Sequence, residues 1–281
     1  MNRHCDIDQH IPSVAVNRQE DPRPAMTNEE RLQKIYERLK RGIVPQLRYS
    51  QSIYEDELRS NVSGVATWLD VGCGHHLLPA WREQNERELL ANAELVVGID
   101  FDLPSLAKHK NISNTVQAIA DHIPFRDDCF DMATANMVVE HLDDPRVQFA
   151  EINRVLKPGA KFVFHTPNET GYFAVLRRLV PGRLAKRLAL MLDGREADDV
   201  FEIQYKANRE NKIRRLASVT NFEVEEIRFV SSDAVCALIP PLAAVELLWI
   251  KLLMARPLRR CRTNLIVTLK KLPSAEAEIH E

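Results

Sequence analysis

From residue 66 onward, short apolar runs alternate with amphipathic stretches, a pattern that fits a mostly parallel sheet wrapped by helices and little else. Runs at 67–71, 95–99, 116–118, 132–136 and 161–166 predict strands, with helices between them at about 78–91, 104–109 and 145–155. Connections of this type are right-handed, so the helices cover both faces and the carboxyl ends of the strands stay open along one edge. Further on, the spacing predicts a helix near 208–218, a strand near 223–230 and a final strand at 264–270. With 281 residues, 45% of them apolar, the chain can bury the core of one such elaborated domain.

The flanks read differently. Residues 1–26 are polar, carry Pro12, Pro22 and Pro24, lack the apolar stretch of a secretion signal, and predict a flexible arm. Residues 27–62 predict a helical cap: Thr27 and Glu30 form a capping-box pattern, followed by Leu32, Ile35, Tyr36 and Leu39 at helical spacing. The sheet domain then spans 63–272, with insertions at about 169–204 and 234–262, the first containing a basic amphipathic stretch at 172–192. An acidic tail closes the chain at 273–281.

A net charge of −2 provides no basic field, so a nucleic-acid partner is not expected. The five cysteines are odd in number and show no CxxC spacing, which argues against a disulfide framework or a zinc site and favours a reducing cytoplasm.

The first strand ends in Leu69-Asp70-Val71-Gly72-Cys73-Gly74, where glycines permit a sharp turn and a close approach of backbone to ligand. The second ends at Asp100, where a carboxylate can accept the two hydroxyls of a ribose. Four more segments follow in order: 120–125 (ADHIPF), 129–131 (CFD), 139–142 (VEHL) and 154–159 (RVLKPG). Together with Val97-Gly98-Ile99-Asp100 they resemble the class I S-adenosylmethionine-dependent methyltransferases, in particular their small-molecule branch, over 67–168, about a third of the chain.

The resemblance implies a doubly wound, seven-stranded Rossmann-like sheet, mostly parallel with an antiparallel last strand, carrying helical insertions. It also implies S-adenosyl-L-methionine as the cofactor. Asp70 and the backbone of Gly72 and Gly74 would hold its methionine part, Asp100 the ribose hydroxyls, and Phe101 one face of the adenine. Asp121 would accept from the adenine amino group beside the His122 backbone, and Asn136 would line the pocket under the sulfonium. For three of these the plainer readings are ordinary core for Phe101, a turn former for Asp121 and a strand-end cap for Asn136. Relatives usually carry a third glycine, which here would fall at His76; the dehydrogenase spacing would put it at Leu77.

The implied reaction is a direct in-line displacement onto a small-molecule or lipid-linked acceptor, in which positioning is the main task. A hydroxyl acceptor needs a base, and histidine is the side chain best poised for it. His141 and His165 are the candidates, against a cap or packing role for His141. Some relatives hold a divalent metal at ExxEH spacing; here the first glutamate is replaced by Met137, so no metal is expected. The alternative function is a non-catalytic S-adenosylmethionine-binding or assembly protein. Thr166-Pro167-Asn168 and Tyr205-Lys206-Ala207-Asn208 resemble segments bordering the acceptor pocket, with Asn208 as helix cap the plainer reading.

Between 242 and 255 only Glu246 and Lys251 are charged, and Arg256, Arg259, Arg260 and Arg262 follow. Pro240-Pro241 interrupts the apolar run, which argues against a transmembrane span. Such a helix either packs on 27–43 or a second subunit, or dips into a bilayer with its arginines on anionic lipid, with Arg177, Arg178, Arg183, Lys186 and Arg187 on the same face. The chain is thus expected to be cytoplasmic, with peripheral membrane contact through 234–262 one of two open readings; oligomeric state is left open.

Overall fold

The computed structural model describes residues 26–179 and 204–273. The expectations for 1–25, 180–203 and 274–281, which include the arm, most of the basic stretch and the acidic tail, fall outside the described residues.

Seven strands form one sheet in the order β3-β2-β1-β4-β5-β7-β6. They are β1 (Thr67–Val71), β2 (Leu95–Asp100), β3 (Asn114–Gln117), β4 (Phe130–Asn136), β5 (Leu156–Pro167), β6 (Phe222–Val230) and β7 (Asn264–Lys271). All pairings are parallel except those of β7, which runs against both β5 and β6. The strand order reverses between β1 and β4, and the crevice at such a switch point is where open sheets of this class bind ligands.

Helices cover both faces. On one, α5 (Pro145–Val155) and α7 (Glu210–Val219) bury Phe149, Ile152, Ile213 and Ala217 against Leu69, Ala133 and Phe162. On the other, α2 (Ser50–Asn61) and α3 (Glu83–Leu90) bury Tyr54, Leu58 and Leu89 against Trp68, Met132 and Val163. Alternation along β1 and β4 assigns neighbouring residues to opposite faces, so a strand buried on both sides reads as a continuous apolar run. A third cluster joins α1 (Asn28–Ile43) to α8 (Pro240–Leu253), with Tyr172 at the start of α6 (Tyr172–Leu179) packed against it.

Local chemistry sets the helix starts. Thr27 and Glu30 form the reciprocal capping box at α1, with bonds of 2.9 and 3.2 Å. Asp102 caps α4 (Leu103–Lys108), and Asp144 caps α5 with Pro145 in its first turn. Four boundaries depart from expectation. The helix expected at 78–91 is a 3-10 turn, Ala80–Arg82, followed by α3, because the Glu86 carboxylate accepts from the Leu78 N–H and folds the leader back. Leu156 pairs with Phe130, so β5 begins five residues early and absorbs Pro158-Gly159 as a register shift. Asn208 does not cap α7; Arg209 sits there, and the buried Asn208 amide donates to Thr166 Oγ1 and the Pro167 carbonyl. Pro240-Pro241 opens α8 from its first turn rather than interrupting it, since a proline there sacrifices no helical hydrogen bond.

Candidate functional site

The carboxyl edge of β1 is a tight bend. Gly72 and Gly74 take φ of +67° and +50°, the left-handed region. The Gly72 and Cys73 N–H groups both donate to the Ile99 carbonyl of β2, at 2.7 and 3.0 Å. A Cβ on Gly72 would run into the side chain of Val138, so the position needs glycine both for its φ and for space. Asp100 closes the bend: one carboxylate oxygen accepts from the Gly74 N–H at 2.8 Å, the other from the Asp102 N–H at 2.9 Å. Phe101 follows, 53% exposed, which removes the plain core reading for it.

Asp70 is engaged beneath the bend. Its carboxyl is buried and accepts from Thr134 Oγ1 at 2.6 Å, while Thr134 accepts from Trp68 Nε1 at 2.8 Å. The trio ties β1 to β4 inside the sheet instead of reaching the open edge. Burial pushes the Asp70 carboxyl up to about 8, against the lowering effect of the Thr134 bond, and the Glu86 and Asp100 charges push the same way as burial.

Beyond β3, His122 donates its N–H to the Ile119 carbonyl at 3.2 Å, which turns Asp121 and His122 onto the edge. Gln148 of α5 fixes Asp121, donating to its Oδ1 at 2.6 Å and to Asp143 Oδ1 at 3.0 Å.

Asn136, the last residue of β4, forms the floor with His165 of β5. The Asn136 amide donates to the Leu77 carbonyl at 2.9 Å and to Gln51 Oε1 at 3.0 Å. With its N–H groups so engaged, Asn136 Oδ1 is left to accept from His165 Nδ1 at 3.0 Å, and His165 Nε2 accepts from the Asn264 amide of β7 at 3.1 Å. Tyr54 stacks on the same imidazole at a 5.5 Å centroid distance. Burial pulls His165 down to about 3, so the ring is neutral. Both nitrogens are committed inside the protein, which leaves no lone pair to serve as the base expected of this residue. Met137, directly after Asn136, adopts φ +58° and donates its N–H to the His165 carbonyl at 2.8 Å. A non-glycine residue in that region marks a turn that its surroundings force.

His141 lies on the rim with its side chain 30% exposed and Nε2 3.9 Å from Glu140 Oε1. Glu140 is buried and organises the wall beside it: its carboxylate accepts from Thr166 Oγ1 at 2.9 Å and its carbonyl from the Gln204 and Tyr205 N–H groups. The segment returning after the first insertion is therefore fastened to the rim. Among the described residues, no group of three or more His, Cys, Asp and Glu side chains converges in a way that could hold a metal ion.

The structure thus brings Gly72, Gly74, Asp100, Phe101, Asp121, His122, Asn136 and His141 to one edge, and sends Asp70 and His165 below it. Sequence reasoning missed Gln51, Thr134, Gln148 and Asn264, which hold those residues in place. Their contacts cross 27 to 99 positions of sequence, and no local pattern signals such pairings.

Residues 69–164 match a family profile described as "Methyltransferase domain". A demethylmenaquinone methyltransferase of Lactiplantibacillus plantarum is 36% identical over 123 residues, which cover 40% of this chain and 48% of that protein. A malonyl-[acyl-carrier protein] O-methyltransferase of Hahella chejuensis is 33% identical over 106 residues, 35% of each chain. The chain thus spans about half or less of the length of these curated relatives. The crystal structure of an S-adenosylmethionine-dependent methyltransferase from Mesorhizobium loti superposes with a TM-score of 0.50 at 20% identity, covering 77% of this chain and 96% of that one; it shares the fold.

Proposed function

We propose, from the premise that this chain belongs to the class I S-adenosylmethionine-dependent methyltransferase family, that it binds S-adenosyl-L-methionine at the carboxyl edge of β1, β2 and β4 and transfers its methyl group to a small-molecule or lipid-linked acceptor. One observation carries the binding reading: a left-handed glycine bend at the switch point, closed by a strand-end carboxylate that still has acceptor capacity. The residues fit the group. Gly74 has nothing within 4 Å of where a Cβ would stand, which leaves its backbone open to a ligand, Asp100 suits a ribose diol, the exposed Phe101 suits an adenine face, and Asp121 suits an exocyclic amine.

When bound, S-adenosylmethionine supplies an electrophilic methyl group, so no nucleophile is asked of the protein. Asn136, locked by Gln51, Leu77 and His165, forms the floor beneath the transfer, and Asp70 holds β1 to β4 beneath the bend. We assign His165 to positioning. His141, the more exposed histidine, is the one an acceptor reaches, and it keeps the role of base for a hydroxyl acceptor. We place the protein in the cytoplasm.

Calorimetry with S-adenosylmethionine and S-adenosylhomocysteine tests the binding, with micromolar affinity expected for both. Loss of labelled methyl groups to a cell-extract fraction tests the transfer. No heat with either nucleoside would end the reading. Binding without transfer to any fraction would favour the non-catalytic alternative, to which the withdrawn His165 lends some support.

A further inference from the structure

The insertion between β6 and β7 carries a surface the site does not use. Because β7 is antiparallel to both neighbours, β6 runs with the parallel strands and delivers the chain to the carboxyl edge at Val230, where Ser231–Arg262 is then built. Within it, α8 has two apolar faces. Ala243, Leu247 and Ile250 are buried with Tyr36, Val44 and Leu47. On the other side Leu242, Val245, Leu248, Trp249 and Leu252 are 44–66% exposed, and Leu238 and Ile239 continue the stripe. One of the two readings open for this helix, packing on 27–43, thus accounts for only half of it.

Lys251 is the one charged residue among the exposed positions of α8. Glu246 is turned inward, its carboxylate accepting from the Tyr172 hydroxyl and from the Val235 and Cys236 N–H groups. At the carboxyl end of the helix lies a groove of about 610 Å³ lined by Arg48, Arg228, Arg256, Arg259 and Arg262 beside Phe229 and Met254; its one acid among the described residues, Glu226, faces Arg228 at 3.6 Å. Arg48 pairs with Asp56, and Arg262 donates to the carbonyls of Phe229, Leu253 and Met254. Arg259 lies over the Phe229 ring, and among the described residues neither it nor Arg256 pairs with a carboxylate.

We infer that this face docks on a bilayer, the α8 stripe entering the acyl boundary while Arg256 and Arg259 meet the phosphates of anionic lipid. Charge decides the occupant. A second copy or a protein partner would cover the stripe equally well, but the basic groove at its end calls for an anionic surface, and the stripe offers no acid in reply. Among the described residues no helix is long and apolar enough to cross a membrane, and the 14 residues of α8 suit a helix lying in the interface plane. Trp249 sits where an indole favours the headgroup level. The surface stands on geometry outside the nucleoside site, so it is independent of the methyl-transfer reading.

The test uses the full chain with sonicated vesicles of phosphatidylcholine, with and without phosphatidylglycerol. We expect sedimentation with the anionic vesicles at low salt, weakened by added salt. Removing Arg256 or Arg259 (Arg256→Ala, Arg259→Ala) should lower partitioning about fivefold per charge. Leu248→Glu should abolish it with no change in thermal melting, since Leu248 is exposed. In a Trp81→Phe background, vesicles should blue-shift the emission and brominated lipid should quench it, because Trp68 is buried and Trp249 is the reporter. Absence of sedimentation at low salt, sedimentation unchanged by Leu248→Glu, or equal binding to neutral vesicles would each overturn the proposal. So would a concentration-dependent dimer broken by Leu248→Glu in a chain that ignores vesicles. Calorimetry with S-adenosylmethionine on the same samples keeps a failure here apart from a failure of the site.

Discussion

Replacing Asp100 with alanine strikes the proposed nucleoside site at its most constrained point. The carboxylate spends two acceptor positions on the Gly74 and Asp102 N–H groups, at 2.8 and 2.9 Å. A carboxylate accepts about four hydrogen bonds, so roughly two remain for a ribose diol. Each bond to a charged group is worth about 1.5–3 kcal/mol net, which puts the loss for two at no less than about 3 kcal/mol. That corresponds to an increase in Kd of about 150-fold. Water can replace the carboxylate at the freed loop N–H groups, so loosening of the bend adds only about 1 kcal/mol more. Asp100→Asn keeps one acceptor oxygen and should fall between, at about tenfold. The assay is calorimetry with S-adenosylhomocysteine alongside thermal melting of each variant. A Kd for Asp100→Ala within about threefold of the parent, with an unchanged melt, would refute the assignment of the diol to Asp100.

Gly72→Ala should weaken nucleoside binding and lower stability by about 1–2 kcal/mol for its φ alone, plus the collision with Val138; adding Val138→Ala should return the collision part only, as read by urea titration. Asp70, raised from 3.8 to about 8, contributes stability that is fully present below pH 3.8 and is lost as the pH rises through about 8. Asp70 should therefore contribute a fall in melting temperature between about pH 4 and pH 8 that levels off above it, and Asp70→Asn should remove that contribution; an unchanged slope would contradict the buried neutral acid. His165, lowered from 6.5 to about 3, acts in the opposite sense: its stability is present above pH 6.5 and is lost as the pH falls toward 3. His165→Gln should shallow the acid limb in calorimetric melts, though His109, lowered to about 4, leaves a remainder.

The strands were legible because residues such as Leu69, Val97 and Phe162 must be apolar wherever a parallel strand is buried on both sides. The glycine bend and Asp100 were legible for a related reason: backbone conformation and strand-end chemistry leave few residue choices. Partnership across the sheet was not. Asp70 and Asp100 look alike as strand-end acids, yet Thr134 draws one inward and the Gly74 amide holds the other at the edge. Likewise His141 and His165 are both strand-end or rim histidines by position, and only Asn136 and Asn264 reveal that His165 is spoken for. The same blindness affected α8: its composition announced an apolar helix, and tertiary packing alone separates the face against α1 from the face left bare.

The imidazole of His165 is gripped from above by Asn136 and from the side by Asn264, a residue 99 positions further along the chain. A growing polypeptide therefore makes the glycine bend long before it can make the floor. Until the antiparallel strand has been synthesised and slotted between β5 and β6, the Asn264 amide is missing from Nε2 and the ring is held only by Tyr54 and Asn136. The finished floor of the proposed nucleoside site is in this sense a product of the last strand: it is complete only when the gap between β5 and β6 has been filled.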